Sequence, residues 1–128
     1  MGLTFTKVRV SNPRQPRKHA LEIEVLVDTG AIYSVLPRST LEAIGIRPIG
    51  REEFTLADGT HKRYPVGEAF FEFGGRAGTS KVVFAPRGAT PLLGTLTLES
   101  LGLMVNPITR ELAPMRMILA GKRRRKRS

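Results

Sequence analysis

The chain has 128 residues, 41% hydrophobic and 25% charged, which is enough apolar material for one buried core and too much for a disordered chain. With no cysteine, a disulfide framework, a thiolate nucleophile and a Cys-based metal site are excluded. The formal charge of +10 suggests nucleic acid, but six of the 21 basic residues stand in the last eight positions, and the rest of the chain carries +4. Two isolated histidines, His19 and His61, do not make a zinc site, so neither metal nor cofactor is expected. No apolar run approaches the ~20 residues of a membrane span, and residues 1–10 lack the apolar centre of a signal peptide. A cytoplasmic protein without a membrane partner is the expectation.

Residues 3–10 alternate in the manner of a strand, with Phe5, Lys7 and Arg9 on one face and Thr6, Val8 and Val10 on the other. Two prolines and Asn12 make residues 11–18 a turn. A second strand carries Leu21, Ile23, Val25 and Val27 on one face and ends in Asp28-Thr29-Gly30-Ala31. Val35 and Leu36 resume an apolar run that Pro37 breaks. Ser39-Thr40-Leu41-Glu42 has capping-box spacing, which predicts Ser39 as the N-cap of a short helix closed by Gly45. Residues 54–60 predict a hairpin around a two-residue Asp58-Gly59 turn. Strands are expected at 69–73 and 81–84, separated by a glycine-rich turn at 74–78, with Phe70, Phe71 and Phe73 as core. Leu92-Leu93-Gly94 opens a second short helix ending near Gly102, and residues 103–120 are expected as strand. The expected class is all-β with two short helices.

An internal repeat overlays this pattern. Residues 24–46 align without a gap on 81–103 at a constant offset of 57, with six of 23 positions identical. Average composition would give roughly one or two. The match includes Thr40-Leu41-Glu42 on Thr97-Leu98-Glu99, and it extends upstream of both helices, which favours duplication over shared capping rules. Asp28 falls on Ala85, so the second copy keeps the scaffold without a carboxylate. Chemistry that needs two such aspartates would take the other from a second chain.

By its residues alone, Asp28 can be a catalytic carboxylate or an aspartate that caps a turn before glycine. Its setting adds weight to the first: an apolar strand before, Ala31 after, and a downstream Leu92-Leu93-Gly94 opening a helix. In these features the sequence resembles the retropepsins, the single-lobed aspartic proteases of retroviruses and their free-standing cellular relatives, over roughly residues 18–105. The resemblance implies the acid-protease fold, a closed barrel-like sheet with a flap hairpin and a pseudo-two-fold repeat. It implies an aspartic endopeptidase acting on polypeptides as a homodimer, with Asp28 from each chain at the two-fold axis. Thr29 would bridge the axis, Gly30 and Ala31 would complete the loop, and Gly94 would let the second turn pass beneath it. The flap, about residues 52–64, would bring Ala57, Asp58 and Gly59 over the substrate. Retroviral enzymes carry Asp and Arg where this chain has Ile32 and Thr95, so both halves of that ion pair are missing. Ala31 offers no hydroxyl to the aspartate, which predicts activity extending towards neutral pH relative to a Ser-bearing relative.

The expected domain is residues 1–120, followed by a basic tail at 121–128 that lacks apolar residues. Residues 122–127 would attract polyanions weakly, without base specificity and with strong salt dependence. Two other functions fit the same sequence: a non-catalytic dimeric peptide-binding module, and a nucleic-acid-associated protein acting through the tail.

Overall fold

The fold is described here from a computed structural model, over residues 4–16 and 18–116. The basic tail at 121–128, with its polyanion-attracting segment 122–127, and residues 117–120 lie outside the described residues. The alternation near the start of the chain produces β1 (Thr4–Ser11) and β2 (Leu21–Val27), paired antiparallel from Thr4↔Val27 to Val10↔Leu21. Val8, Val10 and Val25 are buried while Lys7, Arg9, Glu22 and Glu24 face outward, as one-sided strands require. β3 (Ser34–Pro37) follows the Asp28 turn and runs into α1 (Arg38–Ala43). The long hairpin is β4 (Gly50–Thr55) and β5 (His61–Phe73), then β6 (Arg76–Ala85) and β7 (Leu92–Leu93). α2 (Thr95–Leu101) and a small hairpin, β8 (Leu103–Val105) with β9 (Leu112–Pro114), complete the fold.

The strands form a ring. Their order is β1-β2-β7-β3-β6-β5-β4, and an additional β1–β5 pairing closes the first six. One edge of β5 therefore serves two partners in succession, β4 at Gly50↔Val66 through Thr55↔His61 and β1 at Ser11↔Phe70 through Arg9↔Glu72. The β4–β5 hairpin projects from the ring as a flap. The sheet is thus closed, barrel-like and almost wholly β, with two short helices packed against it.

The 57-residue repeat is visible as strand pairing. β2 pairs parallel with β7 through Leu26↔Leu92 and Val27↔Leu93, while β6 pairs parallel with β3 through Val83↔Val35 and Phe84↔Leu36. Adding or subtracting 57 turns one register into the other. The single β3–β7 pair, Val35↔Leu92, maps onto itself and so marks the pseudo-two-fold. Equivalent residues share one core: Val25 and Val82, Leu36 and Leu93, Leu41 and Leu98, Ile44 and Leu101, and Ile46 and Leu103 are all buried.

Five local expectations need correction. Ser39 is not the N-cap: α1 begins at Arg38, Pro37 caps it, and no side-chain cap bond forms. β3 stays paired as far as Pro37↔Ala85, so the chain turns into the helix with no spare residue for a serine cap. Glu42 instead stands 3.5 Å from Arg38, and the helix closes as expected, with Gly45 and Ile46 amides donating to Glu42 and Leu41 carbonyls. The flap turn is a three-residue loop, residues 57–59, in which only Gly59 takes a left-handed φ, +87°. The glycine-rich turn is shorter than 74–78, because Gly74 and Gly75 alone supply its positive φ angles and Arg76 already pairs with Phe73. Phe71 is fully buried and Phe73 packs on the core, but Phe70 lies on the opposite face, as strand alternation demands. Of residues 103–116, only β8 and β9 are strand; Asn106 accepts amides from Ile108 and Thr109 and turns the chain between them. Among the described residues no helix is long and apolar enough to cross a membrane.

Candidate active site

Asp28 stands one residue past β2, where the strand leaves the ring. Its amide donates to the Leu93 carbonyl (3.0 Å), extending the β2–β7 pairing to the aspartate itself. Its Oδ1 accepts the Gly30 amide (2.9 Å), and its carbonyl accepts the Ala31 amide (3.1 Å). The carboxylate is thereby oriented by its own turn, and its second oxygen has no partner among the described residues. Asp28 is half-buried, whereas Thr29 and Gly30 are exposed and the Thr29 hydroxyl has no partner among the described residues. Ile32, in the position where an ion-pairing aspartate was noted as absent, is 65% exposed beside this loop.

The floor beneath the loop is set by Gly94. A Cβ there would lie 2.6 Å from the Tyr33 carbonyl oxygen and 2.7 Å from that of Ile32, so only glycine permits this approach. The next two amides, of Thr95 and Leu96, donate to the Ala31 and Ile32 carbonyls at 2.9 and 3.0 Å. Asp28, Gly30, Ala31 and Gly94 are thus brought together by backbone bonds. A buried chain of hydroxyls secures the same junction: the Gly94 amide donates to Ser34 Oγ, which bonds to Thr97 Oγ1, which bonds to Ser80 Oγ. Ser34, Thr97 and Ser80 are buried, where a lone hydroxyl would cost ~1–3 kcal/mol, so the three satisfy one another. Ser34 and Thr97 escaped sequence reasoning because a single Ser or Thr carries no sign of burial. The conserved offset of Thr97 from Thr40 was the nearest signal.

Ala57, Asp58 and Gly59 occupy the exposed tip of the flap. Asp58 Oδ1 accepts both the amide and the hydroxyl of Thr60, at 2.9 and 2.6 Å, and these bonds, the hydroxyl first, hold its pKa below the ordinary aspartate value. Asp58 therefore serves its own turn. The flap meets the Asp28 loop at its root instead. The Tyr33 hydroxyl donates to Glu52 Oε1 at 2.8 Å, and Lys81 Nζ stands 2.7 Å from Glu52 Oε2 and 5.5 Å from the Tyr33 ring centre. Phe54 meets Tyr33 edge-on at 5.8 Å and Tyr64 at 6.0 Å. Lys81 first, and Tyr33 second, hold Glu52 below the usual glutamate range; the bond to Glu52 raises Lys81, and with desolvation it also raises Tyr33. Nothing in the sequence singled out this cluster, since Tyr33, Glu52 and Lys81 are 19 to 48 positions apart.

Residues 7–105 match the sequence model of a family described as aspartyl protease, a span that includes the Asp28 turn, the flap and Gly94. The chain belongs to this family. As an aspartyl protease family member it shares its fold with retroviral proteases of known structure. The simian foamy virus (mac) protease is 20% identical, with a TM-score of 0.50 over 73% of this chain and 92% of that one. The EIAV protease, solved with the inhibitor HBY-793, is 19% identical, with a TM-score of 0.51 over 92% of this chain and 94% of that one. A foamy viral protease–reverse transcriptase bound to an RNA/DNA hybrid gives 0.57 at 19% identity, covering 91% of this chain but 13% of that much longer one. No curated protein matches at the level of sequence. The chain is therefore an aspartyl protease family member with the fold of retroviral proteases.

Proposed function

We propose that this chain is an endopeptidase that hydrolyses peptide bonds with a water activated between Asp28 and the partner's Asp28 in a homodimer. The observation that carries this reading is the pseudo-two-fold: the position that holds Asp28 just past β2 corresponds to buried Ala85 at the end of β6. One chain supplies one carboxylate. Two carboxylates within hydrogen-bond range cannot both ionise, so they share a proton. One takes a proton from the attacking water and the other protonates the departing nitrogen, and the pair titrates as a unit. The Gly30 amide would hold one Asp28 oxygen and leave the other for water and for the partner. The exposed Thr29 and Ile32 are supporting features, since a two-fold partner would cover both.

The substrate would lie extended between the flap and the Asp28 floor, pairing its backbone as an added strand beneath Ala57, Asp58 and Gly59. In this reading residues 1–120 are the protease domain of a cytoplasmic enzyme, and residues 121–128 a basic extension with weak affinity for polyanions. The deciding experiment compares wild type with Asp28→Asn on a random peptide library, with a pepstatin-type inhibitor and a measurement of mass in solution. Cleavage by a dimer, abolished by Asp28→Asn, is expected. Equal cleavage by both proteins, or activity that stays with a monomer on dilution, would refute the shared site.

A further inference from the structure

Among the described residues, every hydrogen bond, ion pair and ring contact between the flap and the rest of the fold lies at or below Phe54. From Thr55 to Lys62 the hairpin's side-chain bonds are internal, namely Thr55 with His61, Asp58 with Thr60 and His61 with Glu53, and β4 is a sheet edge with β5 as its one neighbour. At the root the situation reverses. Glu52 spends one carboxylate oxygen on the Tyr33 hydroxyl and the other on Lys81 Nζ, so three separate elements meet in one charged group. Tyr33 is well placed to anchor it. Its carbonyl rests against Gly94, and the preceding Ile32 carbonyl accepts the Leu96 amide, so its backbone belongs to the rigid floor five residues from Asp28. The cross-strand pairs Glu52↔Tyr64 and Phe54↔Lys62 place Glu52, Phe54, Lys62 and Tyr64 on one face of the hairpin, the face that meets Tyr33.

We propose that Tyr33 is a positioning residue whose hydroxyl, received by Glu52 and backed by Lys81, latches the root of the flap to the catalytic loop and sets the hinge of flap opening above Glu52. The inference deepens the proposed function and rests on its reading of the hairpin as the cover of the cleft. The latch keeps the root in place while the segment from Glu53 to Lys62 moves as a lid, so substrate is gripped at a height fixed from the same loop that carries Asp28. Loosening it weakens the grip on substrate in ground and transition states alike, which appears in KM rather than kcat.

The absence of cysteine makes a direct test clean. Spin labels at Ala57→Cys and Glu22→Cys, in full-length protein diluted with unlabelled protein, report the distance from flap tip to barrel within one chain. Tyr33→Phe, which keeps the ring and its contacts, should broaden that distribution and move it to longer distance. Lys81→Met should do the same, Lys81→Arg should restore the narrow distribution, and Arg38→Ala, at an exposed ion pair elsewhere, should leave it alone. In the unlabelled enzyme Tyr33→Phe should raise KM roughly five-fold with little change in kcat. A distribution in Tyr33→Phe identical to that of the parent protein would overturn the latch. If the parent cleaves no peptide, the protease reading fails instead, and the distances still decide this one.

Discussion

Replacing Gly94 by alanine puts a carbon where the fold has left no room. The new Cβ would stand 2.6 Å from the Tyr33 oxygen and 2.7 Å from both the Ile32 oxygen and the Tyr33 carbonyl carbon, against 3.4 Å or more for ordinary contact. The obstructing atoms are backbone, so no side chain can swing away. They are also pinned, because Ala31 and Ile32 carbonyls accept the Thr95 and Leu96 amides. Relief requires the Asp28 loop and the start of α2 to separate by most of an ångström. Overpacking of this kind costs about 1–3 kcal/mol, which in a domain of this size lowers the melting temperature by roughly 5–15 °C. A displacement near 1 Å in the loop that carries Asp28 should also cost about a hundred-fold in turnover. Gly50 is the control: nothing lies within 4 Å of its added Cβ. Gly50→Ala should be neutral or stabilise by about 0.4–1 kcal/mol through the unfolded chain. Thermal melts and initial rates on the two variants give the answer. A Gly94→Ala protein that melts within ~1 °C of wild type and retains full turnover would show that the floor yields, contrary to the rigidity argued here.

Two pH experiments follow from the site. Lys81, and after it Tyr33, hold the Glu52 pKa below its ordinary 4.5, so this carboxylate contributes stability above the unfolded value that is lost as pH falls through the lowered one. Wild type should therefore melt above Glu52→Gln near pH ~7 and converge with it as pH falls through the lowered pKa; a constant difference across that range would contradict the ionic origin. At the Asp28 turn, Ala31→Ser introduces a hydroxyl able to donate to the aspartate and stabilise its anion. The acid limb of the pH–rate profile should move down by about one unit, and an unmoved profile would remove Ala31 as a determinant of working pH.

The legible parts of this protein are those in which a residue type is dictated by its immediate neighbours along the chain. Alternation marked β1 and β2, Gly45 closed α1 as expected, and the 57-residue offset anticipated a pseudo-two-fold whose ladders exchange register residue for residue. Where a distant partner chose the conformation, local signals misled. Ser39 has the spacing of a cap, but pairing of Pro37 with Ala85 takes the position it would need. Asp58-Gly59 has the composition of a two-residue turn, but the Asp58 carboxylate binds Thr60 and the loop takes one residue more.

By itself the sequence determined the pattern around the candidate site: a strand-end Asp-Thr-Gly, a repeated scaffold, and alanine at the position equivalent to Asp28. Those are matters of identity and spacing, and they survive without coordinates. The tertiary structure alone decided what surrounds Asp28, because Gly94 under the Tyr33 carbonyl, the Ser34–Thr97–Ser80 hydroxyl chain and the Tyr33–Glu52–Lys81 cluster join residues far apart in the chain. No periodicity encodes such contacts. They exist because the ring closes at β1–β5 and leaves β4 free to reach back over the loop.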